Sequence, residues 1–207
     1  MYYTNRLLLE PMTGTLKREA RVIMRKTLYG IRHGEAWHNV LYPALGEGAW
    51  LDYQDTSLTT TGMTQAVQNR GLHADLVFVS PLMRTLQTAE LMFPKTPKIA
   101  LECLKEYPQA EELCNKRSPR NALQDLFPNI DFENLKSEED QSFGKQDPHL
   151  LMERNCLEIR QRVKYRPEHT IALVTHSSWL KIYMGADIGG EELWDELDHC
   201  KPYPLKI

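Results

Sequence analysis

The sequence predicts an α/β protein, a three-layer sandwich whose mostly parallel sheet carries helices on both faces, and three observations support that expectation. Short apolar or β-branched runs end at a polar or glycine turn at Thr27 to Ile31, Leu76 to Ser80 and Thr170 to Thr175. Helical apolar periodicity fills stretches between them. Strand and helix therefore alternate, and parallel neighbours need a crossover that a helix usually supplies.

Residues 1–26 precede the first strand and carry six Lys/Arg against two acids. An organelle-targeting segment competes here with a plain N-terminal extension, and Glu10, Glu19 and Pro11 fit a transit peptide poorly. One domain is expected over 27–207. Its helices are read at Gly62 to Leu72, at Met83 to Phe93 with Leu86, Ala89, Leu91 and Phe93, and at Leu150 to Lys164 with Leu151, Cys156, Ile159 and Val163. Between the last two lies a cap-like insertion, about 107–149, interrupted by Pro108, Pro119, Pro128 and Pro148 and carrying nine acids against five bases. Arg120 to Phe127 reads as a short helix inside it, and Ser137 to Asp147 as a mobile polar loop.

Composition narrows the function classes. The chain has 207 residues, 42% hydrophobic and 26% charged, with a formal net charge of −3. Charges alternate in sign, so no broad basic surface suggests a nucleic-acid partner. No apolar run approaches the roughly 20 residues that span a bilayer, so no membrane partner is expected and a cytoplasmic location is. Cys103, Cys114, Cys156 and Cys200 form no CxxC pair and no Cys/His cluster at zinc spacing, so reduced thiols and no metal or other cofactor are expected.

In a parallel sheet, ligands sit beyond the carboxyl ends of the strands, so the residues after each strand are the candidates for chemistry. The first strand runs into Arg32-His33-Gly34-Glu35, where Gly34 permits a sharp turn and close backbone approach to a ligand. The second delivers Ser80-Pro81 and then Arg84. The third delivers Thr175-His176. A phosphoryl group in transit spreads charge over three oxygens, and arginine forks and fixed N–H donors suit it. A neutral imidazole attacks phosphorus through one nitrogen when its other N–H is held by an acceptor. Singly, each of these residues reads as an ion-pairing arginine or a partly buried histidine. Four at three strand ends point to one phosphoryl site.

These residues, with His38-Asn39, Ser57-Leu58-Thr59, Gly62, Gln65-Ala66 and Thr88-Ala89, resemble the histidine phosphatase superfamily in its phosphoglycerate mutase-like branch, over about Thr27 to Met184. The resemblance implies His33 as nucleophile, with Arg32, Arg84 and His176 forming the phosphate pocket and Asn39 adding a donor. A local turn or cap is the alternative role for Asn39. Family acids often stand in a Leu-x-Glu context after the second arginine, which selects Glu106, with Glu111 and Glu112 as rivals. Ser177 stands where the acid phosphatases of the superfamily carry Asp. Tyr107-Pro108-Gln109-Ala110 replaces the Arg-His-Tyr-Gly-like stretch of the mutases.

The leading expectation is a metal-independent phosphomonoesterase that acts through a phosphohistidine on a small phosphorylated metabolite. A phosphoglycerate mutase-type phosphotransferase and a non-catalytic phospholigand-binding module stand beside it. Specificity is expected from the insertion and the 36–57 loop, where Trp37, Trp50, Tyr42 and Tyr53 either line the site or simply pack. Lys116, Arg117 and Arg120 read as surface charges, with a second anionic group of the substrate as their alternative partner. Nothing in the sequence points to an oligomeric state.

Overall fold

The computed structural model describes residues 26–108, 111–144, 147–187 and 195–207. The N-terminal extension, save Lys26, lies outside them. Among the described residues, six strands form one sheet: β1 (Thr27–Arg32), β2 (Leu76–Val79), β3 (Lys98–Ala100), β4 (Ile130–Asp131), β5 (Thr170–Thr175) and β6 (Pro202–Pro204). The spatial order is β4-β3-β2-β5-β1-β6, parallel except for the β1–β6 pair. Seven α-helices accompany them: α1 (Trp37–Leu45), α2 (Gly48–Leu51), α3 (Thr60–Gln68), α4 (Met83–Met92), α5 (Arg120–Leu126), α6 (Pro148–Tyr165) and α7 (Ser177–Met184).

The period-two alternation of strand side chains splits the core into two layers. Val77, Val79, Ala172 and Val174 pack with Leu86, Ala89 and Met92 of α4 and with Ala66 of α3 on one face. Leu76, Phe78, Ile171 and Leu173 pack with Ile159 and Val163 of α6 and with Trp179 and Leu180 of α7 on the other. The three-layer sandwich follows from that split. All four cysteines are buried and free. No helix among the described residues is long and apolar enough to cross a membrane.

The central strands were legible because they are buried on both faces and read as continuous apolar runs. The Gly62 to Leu72 helix is observed at Thr60–Gln68 instead, because Thr59 accepts the Gly62 N–H through Oγ1 and sets the start earlier. The insertion is tied into the rest of the fold. Its β4 adds an edge strand next to β3, and its 137–140 stretch folds over the Arg117 side chain. Two expectations are corrected here. Arg117 is 1% exposed rather than a surface charge. Its guanidinium donates to the carbonyls of Ser118, Ser137, Glu138 and Glu139 and to Glu102 Oε1 at 2.6–3.1 Å. The polar 137–144 stretch is therefore anchored rather than loose, and Lys105 adds a buried ion pair to Asp140 at 2.5 Å.

Candidate active site

The sheet register brings the candidate residues to one edge. Arg32 pairs with Thr175 across β1 and β5, so His33 and His176 leave neighbouring parallel strands at the same height. The His33 N–H donates to the Thr175 carbonyl at 3.0 Å, and the Ser80 N–H donates to the Val174 carbonyl at 3.0 Å. The His33 and His176 rings lie 5.2 Å apart between centroids.

His33 has its tautomer set by its own loop. Nδ1 sits 2.7 Å from the Gly34 carbonyl, which can only accept, so Nδ1 carries the proton and Nε2 keeps its lone pair. Arg84 Nε donates toward that Nε2 at 3.3 Å. Burial and the cations around it hold the His33 pKa well below the usual imidazole range. The loop is braced from behind. The Gly34 N–H donates to Thr88 Oγ1 at 3.1 Å and the Glu35 N–H to Gln65 Oε1 at 2.8 Å. A Cβ on Gly34 would stand 2.5 Å from the Gly62 carbonyl oxygen, and one on Gly62 would stand 2.0 Å from that of Glu35. The Gly62 backbone therefore leaves no room for a side chain at position 34.

Arg84 is 1% exposed and held in a fork by the segment that follows β3. Nη1 donates to the Cys114 carbonyl at 2.7 Å and Nη2 to Asn115 Oδ1 at 2.8 Å. Asn115 in turn donates through Nδ2 to Glu112 Oε2 at 2.9 Å and to the Pro108 carbonyl at 3.2 Å. Arg32 donates through Nη1 to the Leu197 carbonyl at 2.6 Å and pairs through Nη2 with Glu196. Its Nε is buried without a partner, as is Nδ1 of His176, whose Nε2 meets Ser80 Oγ at 2.9 Å. Buried polar atoms without partners are rare, and these two stand free to meet a ligand.

His176 is fully buried. Burial, then Arg84, His38 and Arg32, push its pKa well below the usual value, so it is neutral at physiological pH in this arrangement. Asn39 turns its Oδ1 to the Ala36 N–H at 3.0 Å, which is the capping role, and keeps its amide NH2 unspent.

Glu106 is built into place by four hydrogen bonds. Thr175 Oγ1 donates to the Leu104 carbonyl at 2.6 Å, and Trp179 Nε1 donates to the Cys103 carbonyl at 2.8 Å. Glu106 Oε1 itself accepts from the N–H groups of Tyr107 at 2.8 Å and Trp179 at 3.2 Å. Both bonds fall on Oε1, so Oε2 is left to carry a transferable proton. Although part of the residue is accessible, burial of its carboxyl raises the pKa to about 7, against the lowering effect of those N–H groups and of Arg84. Of the rivals, Glu112 is committed to Asn115 and Glu111 is exposed.

The sequence reading left three neighbours without a role. His38, quoted only as part of a motif, is buried with its ring 5.9 Å from that of His33, and its Nδ1 meets Thr56 Oγ1 at 2.6 Å. His199 donates through Nδ1 to the His33 carbonyl at 2.6 Å. Asn115 holds Arg84. The repeated histidine after the first strand was a usable signal for His38, whereas His199 and Asn115 arrive through long-range packing that no local pattern announces.

A family model described as histidine phosphatase superfamily (branch 1) matches residues 28–200. The chain belongs to that superfamily. Phosphoglycerate mutase-like protein 1 of Arabidopsis thaliana is 32% identical, over 75% of this chain and 69% of that protein. Solved structures share the fold of this superfamily member. The ecdysone phosphate phosphatase of Bombix mori, in complex with tungstate, superposes with a TM-score of 0.62 at 17% identity, covering 86% of this chain and 88% of that one. The alpha-ribazole phosphatase of Shigella flexneri gives 0.55 at 24% identity, covering 87% and 90%.

Proposed function

We propose that the protein is a metal-independent phosphomonoesterase that works through a phosphohistidine on His33, with a small phosphorylated metabolite as substrate. The observation that carries this reading is the locked His33 tautomer, with its Nε2 lone pair facing the Arg84 guanidinium. Superfamily membership supports phosphatase-type chemistry.

The substrate phosphoryl group sits among Arg84, the partnerless Arg32 Nε and His176 Nδ1, and the Asn39 amide. His33 Nε2 forms a bond to phosphorus in line with the departing ester oxygen, and Glu106 Oε2 gives its proton to that oxygen as the P–O bond breaks. The ionised Glu106 then takes a proton from water, whose oxygen attacks the phosphohistidine. This releases inorganic phosphate and restores neutral His33. Two arginines supply the positive charge that divalent ions provide in many other phosphoryl-transfer sites.

Rapid quench with labelled phosphomonoester tests the reading. Base-stable, acid-labile label is expected on His33 and is expected to be lost in His33→Ala, with turnover unchanged by chelators. Native-rate turnover by His33→Ala, or chelator inhibition reversed by one divalent ion, would overturn it. Bisphosphate-primed isomerisation of a phosphoglycerate would move the protein to the mutase reading that its relatives' names evoke.

A further inference from the structure

Resting on the phosphatase reading, we infer that the open cleft beside His38 is the subsite for the non-phosphate part of the substrate, and that it takes a flat ring-bearing alcohol without a second anionic group. The cleft has a volume of about 490 Å³, within the range of small-molecule sites. Its walls include the aromatic side chains of Trp37 and Tyr53, together with Met83 and Thr56.

Three connections join it to the nucleophile. Thr56 Oγ1 meets His38 Nδ1 at 2.6 Å, and the His38 ring lies 5.9 Å from that of His33. Met83 immediately precedes Arg84, whose Nε points at His33 Nε2. Trp37 precedes His38 and is fastened to the opposite wall by its N–H, which donates to the Ser57 carbonyl at 3.0 Å. The alcohol of an ester whose phosphoryl group meets His33 therefore has the walls of the cleft within reach past His38.

The wall chemistry selects the occupant. Trp37 and Tyr53 are 51% and 43% exposed, an arrangement that leaves two large ring faces for a planar group to cover. No lining side chain is basic, and the acids Asp52 and Asp55 stand among them. A carboxylate or second phosphate would enter without a counter-charge and against acids. The basic cluster of the insertion is spent elsewhere: Arg117 on backbone carbonyls, Arg120 on Leu135 and Glu138, and Lys116 over the Phe143 ring.

Steady-state kinetics on three alkyl esters of similar leaving-group basicity reads the inference: 2-(indol-3-yl)ethyl phosphate, ethyl phosphate and 3-phosphoglycerate. The indolyl ester is expected to exceed ethyl phosphate in kcat/KM by about tenfold, the scale of stacking on two aromatic walls. 3-Phosphoglycerate is expected to be no better than ethyl phosphate. Trp37→Ala and Tyr53→Ala should bring the indolyl-to-ethyl ratio toward one, a ratio that general losses of activity do not move. Equal kcat/KM for the two esters without a carboxylate, or a preference for 3-phosphoglycerate, would overturn the inference. Calorimetry of 2-(indol-3-yl)ethylphosphonate against ethylphosphonate repeats the comparison on the unaltered protein without turnover. If no ester is turned over, the phosphatase reading fails by itself, and the cleft is judged on the phosphonates, equal affinities overturning it.

Discussion

Glu106 concentrates the residue-scale chemistry of the proposed mechanism, in which one carboxyl is an acid in the first step and a base in the second. A general acid matters most when the departing oxygen is strongly basic. Glu106→Gln should therefore slow phosphohistidine formation far more for an alkyl phosphate than for a nitrophenyl phosphate, roughly 100-fold or more against a few-fold. Single-turnover quench measurements isolate that step. An equal defect for both esters, or a selective one in Glu112→Gln, would show that the acid is misplaced. The same carboxyl carries a stability signature. Its pKa lies above the ordinary 4.5, at about 7. Between those values the folded state binds more protons than the unfolded chain, so its contribution is fully present below about 4.5 and is lost as pH rises through about 7. Glu106→Gln should thus gain stability relative to the native chain above pH 7, by roughly 2 kcal/mol once residual exposure is discounted. Denaturant unfolding at pH 5 and pH 8 reads the difference.

Among the elements, the segment between β3 and β4 does the most to hold the site. It supplies Glu106, both acceptors of the Arg84 fork and the Asn115–Glu112 contact behind it. Asn115→Ala should cost activity by loosening Arg84, about tenfold in kcat/KM for the loss of one charge-assisted bond. Asn115→Asp, which keeps the acceptor, should recover part of it. Arg117→Ala removes the donor that four backbone carbonyls share and should destabilise the fold by about 3–5 kcal/mol, measured by denaturant unfolding. A loss under 1 kcal/mol would mean the 137–144 stretch holds itself. This segment was also the least legible part of the sequence. β1, β2 and β5 announce themselves as apolar runs because both faces are covered, whereas β3 has three residues and begins with Lys98, paired to Glu90 at 3.1 Å. β6 begins and ends with proline, tolerated because it lies at the sheet edge, so its composition argues against the strand it forms. The strand-end residues His33, Arg84 and His176 were found because parallel-sheet geometry says where to look. Asn115 and His199 were not, since their place depends on how distant segments fold back.

At the scale of the whole molecule, the site collects four imidazoles and two arginines within one buried edge of the sheet. The charge balance of that edge links ligand binding to protons. The pKa values of His33, His38 and His176 are held well below the usual range, first by burial and then by the arginines and neighbouring imidazoles. A bound phosphate or tungstate dianion supplies the opposite charge and raises those pKa values again. Where that rise brings one of them to the working pH, the complex holds more protons than the free protein, so binding takes protons up and affinity falls as pH rises, by up to tenfold per pH unit for each proton taken up. Titration calorimetry in buffers of different ionisation enthalpy counts the protons directly. Glu106 titrates nearby at about 7 and would add to the uptake, so the experiment belongs in Glu106→Gln as well as the native chain. Uptake that persists in Glu106→Gln and disappears in His176→Gln assigns the proton to His176. Uptake of no proton by either protein would mean that the arginines alone balance the anion and that His176 binds it as a neutral donor, with Ser80 giving its hydroxyl proton to Nε2.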